Sequence, residues 1–504
     1  MNANKQRKII GFGMAFLLTL SCFFVFNTRS QAVEAFNTAV ETVNIGIQPF
    51  DYKRMVSTKA ENKYEVRVEV NGRAALDARI HVRGNGTKEI GMVLPTKRLP
   101  LELMFQNAAD FSELIANTCV KFCNTITPFE LMAQYVAYDM FTSLGIPTPA
   151  HSFALIQYND VDFGVYFAME DINDEFLAKH FSAPYGSLYK GAPGDSTQRF
   201  ESSKWFGDLR AVSDRGSERI VALLDALDRG EGYEDYLDVD EVMRFFACTA
   251  AYGGASSLLT EQSNYFLYDT GEKLVLLPWD LSEAFCAEPT NNGIDRFRLE
   301  FWEEAPPCEL FDLLMKDEKN RGLYHKYIRE LCEGFLAPEN FDPYFASLVS
   351  AVTPSMQRDC TIFFNWEREK PASAQNIPIT FQSLQGFIHQ IRENLLAQLN
   401  GTEDTFFFDL VLTKLHQELD DDMAYVVENS PSMNLHITEE ICKNYTSYCR
   451  SRGIRHFSTG DPAETVVALV VFTVGCIFLF FFIRSQQIKI HCRNNKKQSV
   501  HRRC

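Results

Sequence analysis

One stretch, from Asn264 to Phe285, constrains the fold of this chain more than any other. It reads NYFLYDTGEKLVLLPWDLSEAF, with an apolar run at Tyr265–Tyr268, a tight turn at Asp269-Thr270-Gly271 and a second apolar run at Leu274–Leu277. Two short apolar runs around a glycine-containing turn are typical of a β-hairpin. The sequence therefore predicts a hairpin here, and the Pro-Trp-Asp that follows marks its end.

The predicted hairpin would bring two polar residues together. Asn264 precedes the first strand and Asp280 follows the second, 16 residues later. An amide oxygen and a carboxylate are hard ligands, and a pair of this kind can hold a divalent cation in a phosphoryl-transfer site. A structural interpretation stands beside this one: the hairpin is simply buried, ends in a polar turn and uses Trp279 as a core residue.

Length and composition limit the class of protein. With 504 residues, 46% apolar and 13% aromatic, the chain can bury one large core and has room for two lobes. The net charge of -17 argues against a nucleic-acid partner. Neither a GxSxG elbow nor an HExxH motif is present, which disfavours the common hydrolase classes.

Both ends of the chain carry targeting signals. Three cations, Lys5, Arg7 and Lys8, precede an apolar run over residues 9–26 and small residues at positions 30 and 32. This pattern predicts a signal peptide over residues 1–32, with an uncleaved signal anchor as the alternative. Residues 465–483 lack charges and a basic tail follows at 484–504. They predict a single transmembrane helix, a cytosolic tail and a large luminal or extracellular domain of the secretory pathway or cell surface.

An oxidising compartment would allow disulfides and glycans. We expect some disulfides, with two local pairs as candidates, Cys119 with Cys123 and Cys442 with Cys449. Sequons occur at Asn85, Asn400 and Asn444. The last two are plausible glycan sites. Asn85 should stay unmodified, because it lies in a loop that we assign to nucleotide binding.

Sheet comes first along the chain and helices later. The alternating segment at Tyr64–Val70 and the return at Ala78–Val82 predict antiparallel strands. The segment His81–Phe105 then holds a loop with three glycines, followed by Lys97. Such a loop can place backbone amides against phosphates, although it is also an ordinary turn. The layout predicts an α+β fold in two lobes, with an N-lobe over 40–180, a C-lobe over 181–400 and a membrane-proximal cap or stalk over 401–464.

Four blocks in order resemble the CotH kinase family, the spore-coat-type atypical protein kinases, over about residues 64 to 400. The first is Arg83-Gly84-Asn85 with Thr87 and then Lys97. The second is Gly164 to Phe181, followed by Ser187-Leu188-Tyr189-Lys190. The third is the hairpin with its Asn-Tyr and Pro-Trp-Asp, and the fourth is Arg392 in a late helix.

The resemblance implies a two-lobed protein-kinase-like fold, with an antiparallel N-lobe sheet and a mainly helical C-lobe. It implies transfer of the ATP γ-phosphoryl group to Ser or Thr of secreted or surface proteins. Lys97 would contact phosphate, Glu170 would orient a lysine or metal, and Asn264 and Asp280 would hold Mg²⁺ or Mn²⁺. The loop that would cover the nucleotide comprises Arg83, Gly84, Asn85 and Thr87.

The sequence departs from the family pattern in two places. No Asp occurs over residues 253–263, where the family places the residue that accepts the substrate proton, and Glu261 is the only acid there. Ser282 stands where a second Asp is expected after Asp280. We therefore take Glu261 as the candidate catalytic residue. Two functions stay open: an active kinase, or a catalytically weak or dead kinase-like ectodomain that serves as a surface binding or adhesion module.

Overall fold

The structure is a computed structural model that describes most of the chain between residues 40 and 454. The described residues are 40–58, 62–73, 76–84, 88, 91–92, 94, 96–107, 111–112, 115–125, 128–182, 186–191, 201–254, 256–285, 299, 308–362, 381–402 and 436–454. The chain divides into two compact units, Met1–Tyr445 and Thr446–Cys504.

Seven strands close into a barrel in the order β1-β2-β3-β4-β5-β7-β6. Neighbours in the barrel pair antiparallel, except that β1 runs parallel to β6 and thereby closes it. In β2 the valines point inward and the charged residues outward, as the alternation predicts. The strands are β1 (Val40–Gly46), β2 (Tyr64–Val70), β3 (Leu76–Val82), β4 (Leu101–Met104), β5 (Cys119–Cys123), β6 (His151–Tyr158) and β7 (Val161–Glu170).

A second sheet has five strands in the order β12-β11-β8-β10-β9. Its β11/β12 pair is the predicted hairpin, with Tyr265 opposite Pro278 and Asp269 opposite Leu274. The strands are β8 (Leu188–Gly191), β9 (Glu201–Ser203), β10 (Gly207–Ser213), β11 (Tyr265–Asp269) and β12 (Leu274–Pro278).

Helices pack against this second sheet and form one apolar core with it. Apolar residues at helical spacing predict helices over residues 127–144, 218–227, 239–252 and 381–399, and helices occupy all four segments to within two residues at each end. The helices are α1 (Pro49–Ser57), α2 (Pro128–Ser143), α3 (Asp174–His180), α4 (Glu218–Arg229), α5 (Val239–Ala251), α6 (Glu309–Met315), α7 (Glu318–Glu333), α8 (Pro338–Met356), α9 (Phe381–Leu399) and α10 (Ile437–Ser451).

The predicted fold class is wrong. The N-terminal strands do not form the open antiparallel sheet of a kinase-like lobe, because β1 bonds to β2 on one side and to β6 on the other. The part that follows the barrel has more residues in helices than in strands, but it also contains the five-stranded sheet. Alternation in sequence reports which face of a strand is buried, but closure depends on the pairing of Val40 with Phe153, which are too far apart for a local pattern to predict.

The predicted transmembrane helix, part of the same fold prediction, has no counterpart among the described residues, where no helix is both long and apolar enough to cross a membrane. Residues 1–32 and 465–483, on which the targeting predictions fall, lie outside the described residues.

The two local disulfide predictions fail on geometry. Cys119 and Cys123 are the two ends of β5, so strand rise separates them by about 13 Å. Cys442 and Cys449 lie on one helix, α10, about 10 Å apart along its axis. A disulfide needs Cα atoms within about 7 Å, so neither pair can form in this fold.

Candidate functional site

The hairpin places Asn264 beside Asp280, as the sequence predicts. Asn264 Nδ2 donates to the main-chain carbonyl of Asp280 at 3.3 Å. Both residues have a left-handed backbone, with φ of 55° at Asn264 and 50° at Asp280. Asn and Asp tolerate this conformation better than other non-glycine residues, which is a local reason for these residue types at the two ends of the hairpin.

Trp279, between β12 and Asp280, is the centre of a cationic cluster. Its ring is 2% exposed and packs edge-on against Phe266 with centroids 5.2 Å apart. Three cations lie over it: Lys121 Nζ at 4.3 Å, Lys190 Nζ at 5.3 Å and the Arg83 guanidinium carbon at 5.7 Å from the ring centroid. The cations come from β5, from β8 and from just after β3, so barrel and second sheet both contribute to the cluster.

Two of the three cations have no acceptor in the part of the chain that the structure describes. Lys121 forms an ion pair with Asp171, the residue after β7. Neither Lys190 nor the Arg83 side chain makes a hydrogen bond or an ion pair within the described residues, and Arg83 Nη1 is buried without a partner. A buried donor left unpaired costs about 1–3 kcal/mol. A binding site can carry this cost in the free protein, because a bound ligand then supplies the missing acceptor.

The surroundings of Lys190 disfavour its charged form. Burial, followed by the neighbouring cations Lys121 and Arg83, lowers the pKa of Lys190 to about 8, and the Asp280 carboxylate partly opposes this shift. The effect of Asp280 on Lys190 means that the carboxylate and the cationic cluster share one site. This is the arrangement that a metal-bound phosphate group requires.

The donor set around Asp280 fits a hard divalent cation. Asp280 Oδ1 accepts a hydrogen bond from the Ser282 hydroxyl at 2.8 Å, and its second oxygen has no partner in the described part of the chain. Because Asn264 uses Nδ2 to reach the Asp280 carbonyl, its amide oxygen is left as a ligand. Mg²⁺ typically takes one or two protein oxygens and completes its shell with phosphates and water. No group of three or more His, Cys, Asp or Glu side chains that could hold a metal occurs among the described residues.

Among the described residues, Lys97 and Glu170 make no hydrogen bond or ion pair with the Trp279 cluster. Lys97 Nζ donates to the Met92 carbonyl at 2.5 Å. Glu170 is fully buried and its Oε2 accepts from Lys179 at 2.5 Å. Glu170 therefore pairs with Lys179, and its predicted role in the nucleotide site stays a prediction. The phosphate role of Lys97 stays a prediction without a contact to support it.

The remaining predicted site residues divide into three groups. Glu261 is exposed, and no contact in the described segments joins its carboxylate to Asp280 or Asn264. Arg83 belongs to the cluster, and Gly84 beside it has φ of 83°, a conformation that favours glycine. Asn85 and Thr87 of the same predicted loop lie outside the described residues.

The sequence interpretation missed Lys121, Asp171 and the role of Lys190. Lys190 ends the Ser187–Lys190 block, so the family resemblance includes this residue without giving it a role. Lys121 stands in the middle of an ordinary strand, CVKFC, and carries no local signal. Its part in the site follows only from the tertiary structure, which places Lys121 Nζ over the Trp279 ring.

Comparison with known proteins settles the family. The profile of the CotH kinase protein family matches residues 81–395, which is more than half of the chain. The chain belongs to the CotH kinase family. Membership implies use of ATP and a divalent metal ion. Among curated proteins this CotH-family chain is similar to inner spore coat protein H of Bacillus subtilis (strain 168), with 20% identity over 249 residues. The similar region covers 45% of this chain and 66%, just under two thirds, of that protein.

Proposed function

We propose that this CotH-family chain is an ATP-dependent protein kinase that acts on Ser or Thr hydroxyls of secreted or surface proteins. The observation that carries the proposal is the cluster of Arg83, Lys121 and Lys190 around Trp279, next to the Asp280 carboxylate. Phosphoryl transfer depends on positioning and on charge neutralisation more than on a reactive nucleophile. A site rich in cations without protein partners, with a carboxylate at its edge, suits that chemistry.

Each residue has a defined task in the proposed mechanism. Asp280 and Asn264 would hold Mg²⁺ or Mn²⁺, which when bound neutralises phosphate charge. Arg83 and Lys190 supply the hydrogen-bond donors that the phosphate oxygens accept. Lys121, fixed by Asp171 and by the Trp279 ring, adds a positive charge whose position is set before ligand binds. Preorganised charge of this kind lowers a transfer barrier without reorganisation during the reaction.

Two carboxylates are candidates for the group that accepts the proton of the substrate hydroxyl. Glu261 is the acid that the sequence offers in the segment before Asn264. A second carboxylate, Glu283, accepts a hydrogen bond from the Ser256 hydroxyl at 2.6 Å and so links the same segment to the turn after Asp280. A proton acceptor contributes about 10² to 10⁴-fold to rate. Comparing transfer rates of Glu261→Gln and Glu283→Gln would identify which carboxylate acts.

The alternative function is a catalytically weak or dead binding module. The observations that favour it are the lack of an Asp over residues 253–263 and the exposure of Glu261, which has no contact with Asp280 in the described chain. In that case nucleotide binding would persist without transfer, or would be lost together with it.

The experiment that tests the proposal measures thermal unfolding of the purified chain with ATP and Mn²⁺, and incorporation of γ-labelled phosphate. We expect ATP with Mn²⁺ to raise Tm, and Asp280→Ala to abolish both the shift and the incorporation. Glu272→Gln, an exposed carboxylate in the turn of the same hairpin, is the matched control and should change neither. A wild-type chain without a shift would favour a module that does not use nucleotide.

A further inference from the structure

Strand pairing in the second sheet places two positive charges directly opposite each other. In the antiparallel pair of β8 and β10, Lys190 faces Arg210. Side chains opposite each other share one face of the sheet, with Cβ atoms about 4.5–5.5 Å apart, and like charges in this position are destabilising. A neutral residue at either position would remove this repulsion, and the sequence nevertheless has a cation at both.

Among the described residues no carboxylate forms an ion pair with either cation, although Asp280 acts on Lys190 without contacting it. Arg210, like Lys190, has no hydrogen bond or ion pair in the described residues, and its Nε is buried without a partner. Arg210 also contributes to lowering the pKa of Lys190. The same region neutralises other arginines: Arg219 pairs with Asp269 at 2.9 Å and Arg215 pairs with Asp174 at 2.5 Å. Lys190 and Arg210 therefore lack the ion pair that these two neighbouring arginines have, as Arg83 beside Trp279 also does in the described residues.

The pair continues the cationic cluster across the sheet. Lys190 is opposite Phe266 of β11, and Phe266 packs against Trp279. Adjacent strands are about 4.8 Å apart, so Arg210 of β10 lies one strand farther from Trp279 than Lys190 does. The positive charges thus form a row that leads away from Asp280. An extended polyanion fits such a row better than a single anionic group does.

We propose that Lys190 and Arg210 form an anion subsite that binds the phosphate chain of the nucleotide, with Arg210 as its outer member. The proposal rests on the function proposed above and adds Arg210 to it. In the ligand-free protein the pair repels. A bound oligophosphate inserts negative charge between the two cations and supplies the acceptors that both lack.

The test uses inorganic tripolyphosphate and ATP as probes, with thermal unfolding and calorimetric titration as readouts. Arg210→Gln should leave the Tm of the free protein unchanged or higher, because the repulsion is gone. It should weaken tripolyphosphate binding about tenfold or more, the loss expected for one charge-assisted hydrogen bond. Lys190→Gln should behave in the same way, and Arg210→Lys should retain part of the affinity.

Arg219→Gln is the matched control on the neighbouring surface. It removes a paired arginine, so it should lower Tm and leave tripolyphosphate affinity unchanged. The subsite is disproved if Arg210→Gln binds tripolyphosphate as the wild type does, or if it lowers the Tm of the free protein as Arg219→Gln does.

Failure of the subsite can be told from failure of the proposed function. A chain that transfers phosphate from ATP equally well with and without Arg210 retains the function and loses the subsite. A chain that binds tripolyphosphate and ATP through Arg210 but transfers no phosphate retains the subsite and loses the kinase function.

Discussion

Asn264 Nδ2 donates to the Asp280 carbonyl at 3.3 Å, and this contact joins the two ends of the β11/β12 hairpin together with the hydrogen bond from Trp279 N–H to the Asn264 carbonyl. Both residues hold a left-handed backbone, which costs about 1–2 kcal/mol for an ordinary residue. Two residues with uncommon backbone angles that contact each other, one of them an Asp, are typical of a binding site. The hairpin thereby presents the Asp280 side chain next to the cations around Trp279.

Asp280→Asn keeps the shape of the side chain and removes its charge. We expect the Mn²⁺ dependence of ATP binding to disappear, and transfer to fall by at least about 100-fold, the usual effect of losing one such electrostatic contact. Stability without ligand should change by less than about 1 kcal/mol, because Asn also tolerates the left-handed backbone. Calorimetry with Mn²⁺ alone and with Mn²⁺ plus ATP measures this. Unaltered Mn²⁺ affinity would remove Asp280 from the metal site.

The lowered pKa of Lys190 predicts a defined pH dependence. Its pKa is about 8 in the folded chain against an ordinary 10.5. Between these values the unfolded chain binds more protons at this residue. The contribution of Lys190 to stability therefore rises as pH increases from 8 to 10.5, and is lowest below pH 8.

Comparing the wild type with Lys190→Gln separates the contribution of Lys190 to stability from the contributions of other titrating groups. Without ligand the variant should be the more stable protein at pH 7, and its advantage should shrink between pH 8 and 10.5. Tripolyphosphate binding to the wild type should weaken as Lys190 loses its proton, at a pH above 8, because the bound anion favours the charged amine. Chemical denaturation and titrations at several pH values measure both effects. An advantage of the variant that does not vary with pH would contradict the prediction.

The ion pair of Arg98 and Asp359 should be essential for stability. Both side chains are fully buried, and Arg98 Nη1 lies 3.1 Å from Asp359 Oδ2. Arg98→Met would leave the buried carboxylate unpaired, at a cost of about 3–5 kcal/mol. Arg358→Met is the control, because Arg358 makes a bidentate but exposed pair with Asp162, worth about 1 kcal/mol or less. Similar losses in urea denaturation for the two variants would contradict this prediction.

The two described sequons should differ in glycan occupancy. Asn400 is exposed after α9, and its side-chain oxygen accepts from Arg329 at 3.1 Å, which leaves Nδ2 free. Asn444 uses Nδ2 to donate to the main-chain carbonyl of Asn159. In a secretory host, we expect glycan at Asn400 and little at Asn444 of the folded protein. Mass spectrometry after enzymatic deglycosylation measures both sites, with Asn400→Gln as control. Full occupancy of Asn444 in a folded chain would contradict the prediction.

Sequence by itself determined the local features of this protein. The alternation in β2 gave its buried face, and the turn at Asp269-Thr270-Gly271 gave the hairpin that joins Asn264 to Asp280. The order of the four motif blocks gave the family, which the match over residues 81–395 bears out. These inferences succeed because periodicity, turn chemistry and motif spacing depend on residues that are neighbours along the chain.

Tertiary structure alone decided how the strands close and which cations meet. The parallel pairing of β1 with β6 turns the predicted antiparallel sheet into a barrel, and the placement of β5 and β8 brings Lys121 and Lys190 over Trp279. Lys97 stood in a motif and faces Met92, whereas Lys121 stood in none and faces the site. The physical reason is that side chains distant in sequence meet only through strand order and register, which no local pattern encodes.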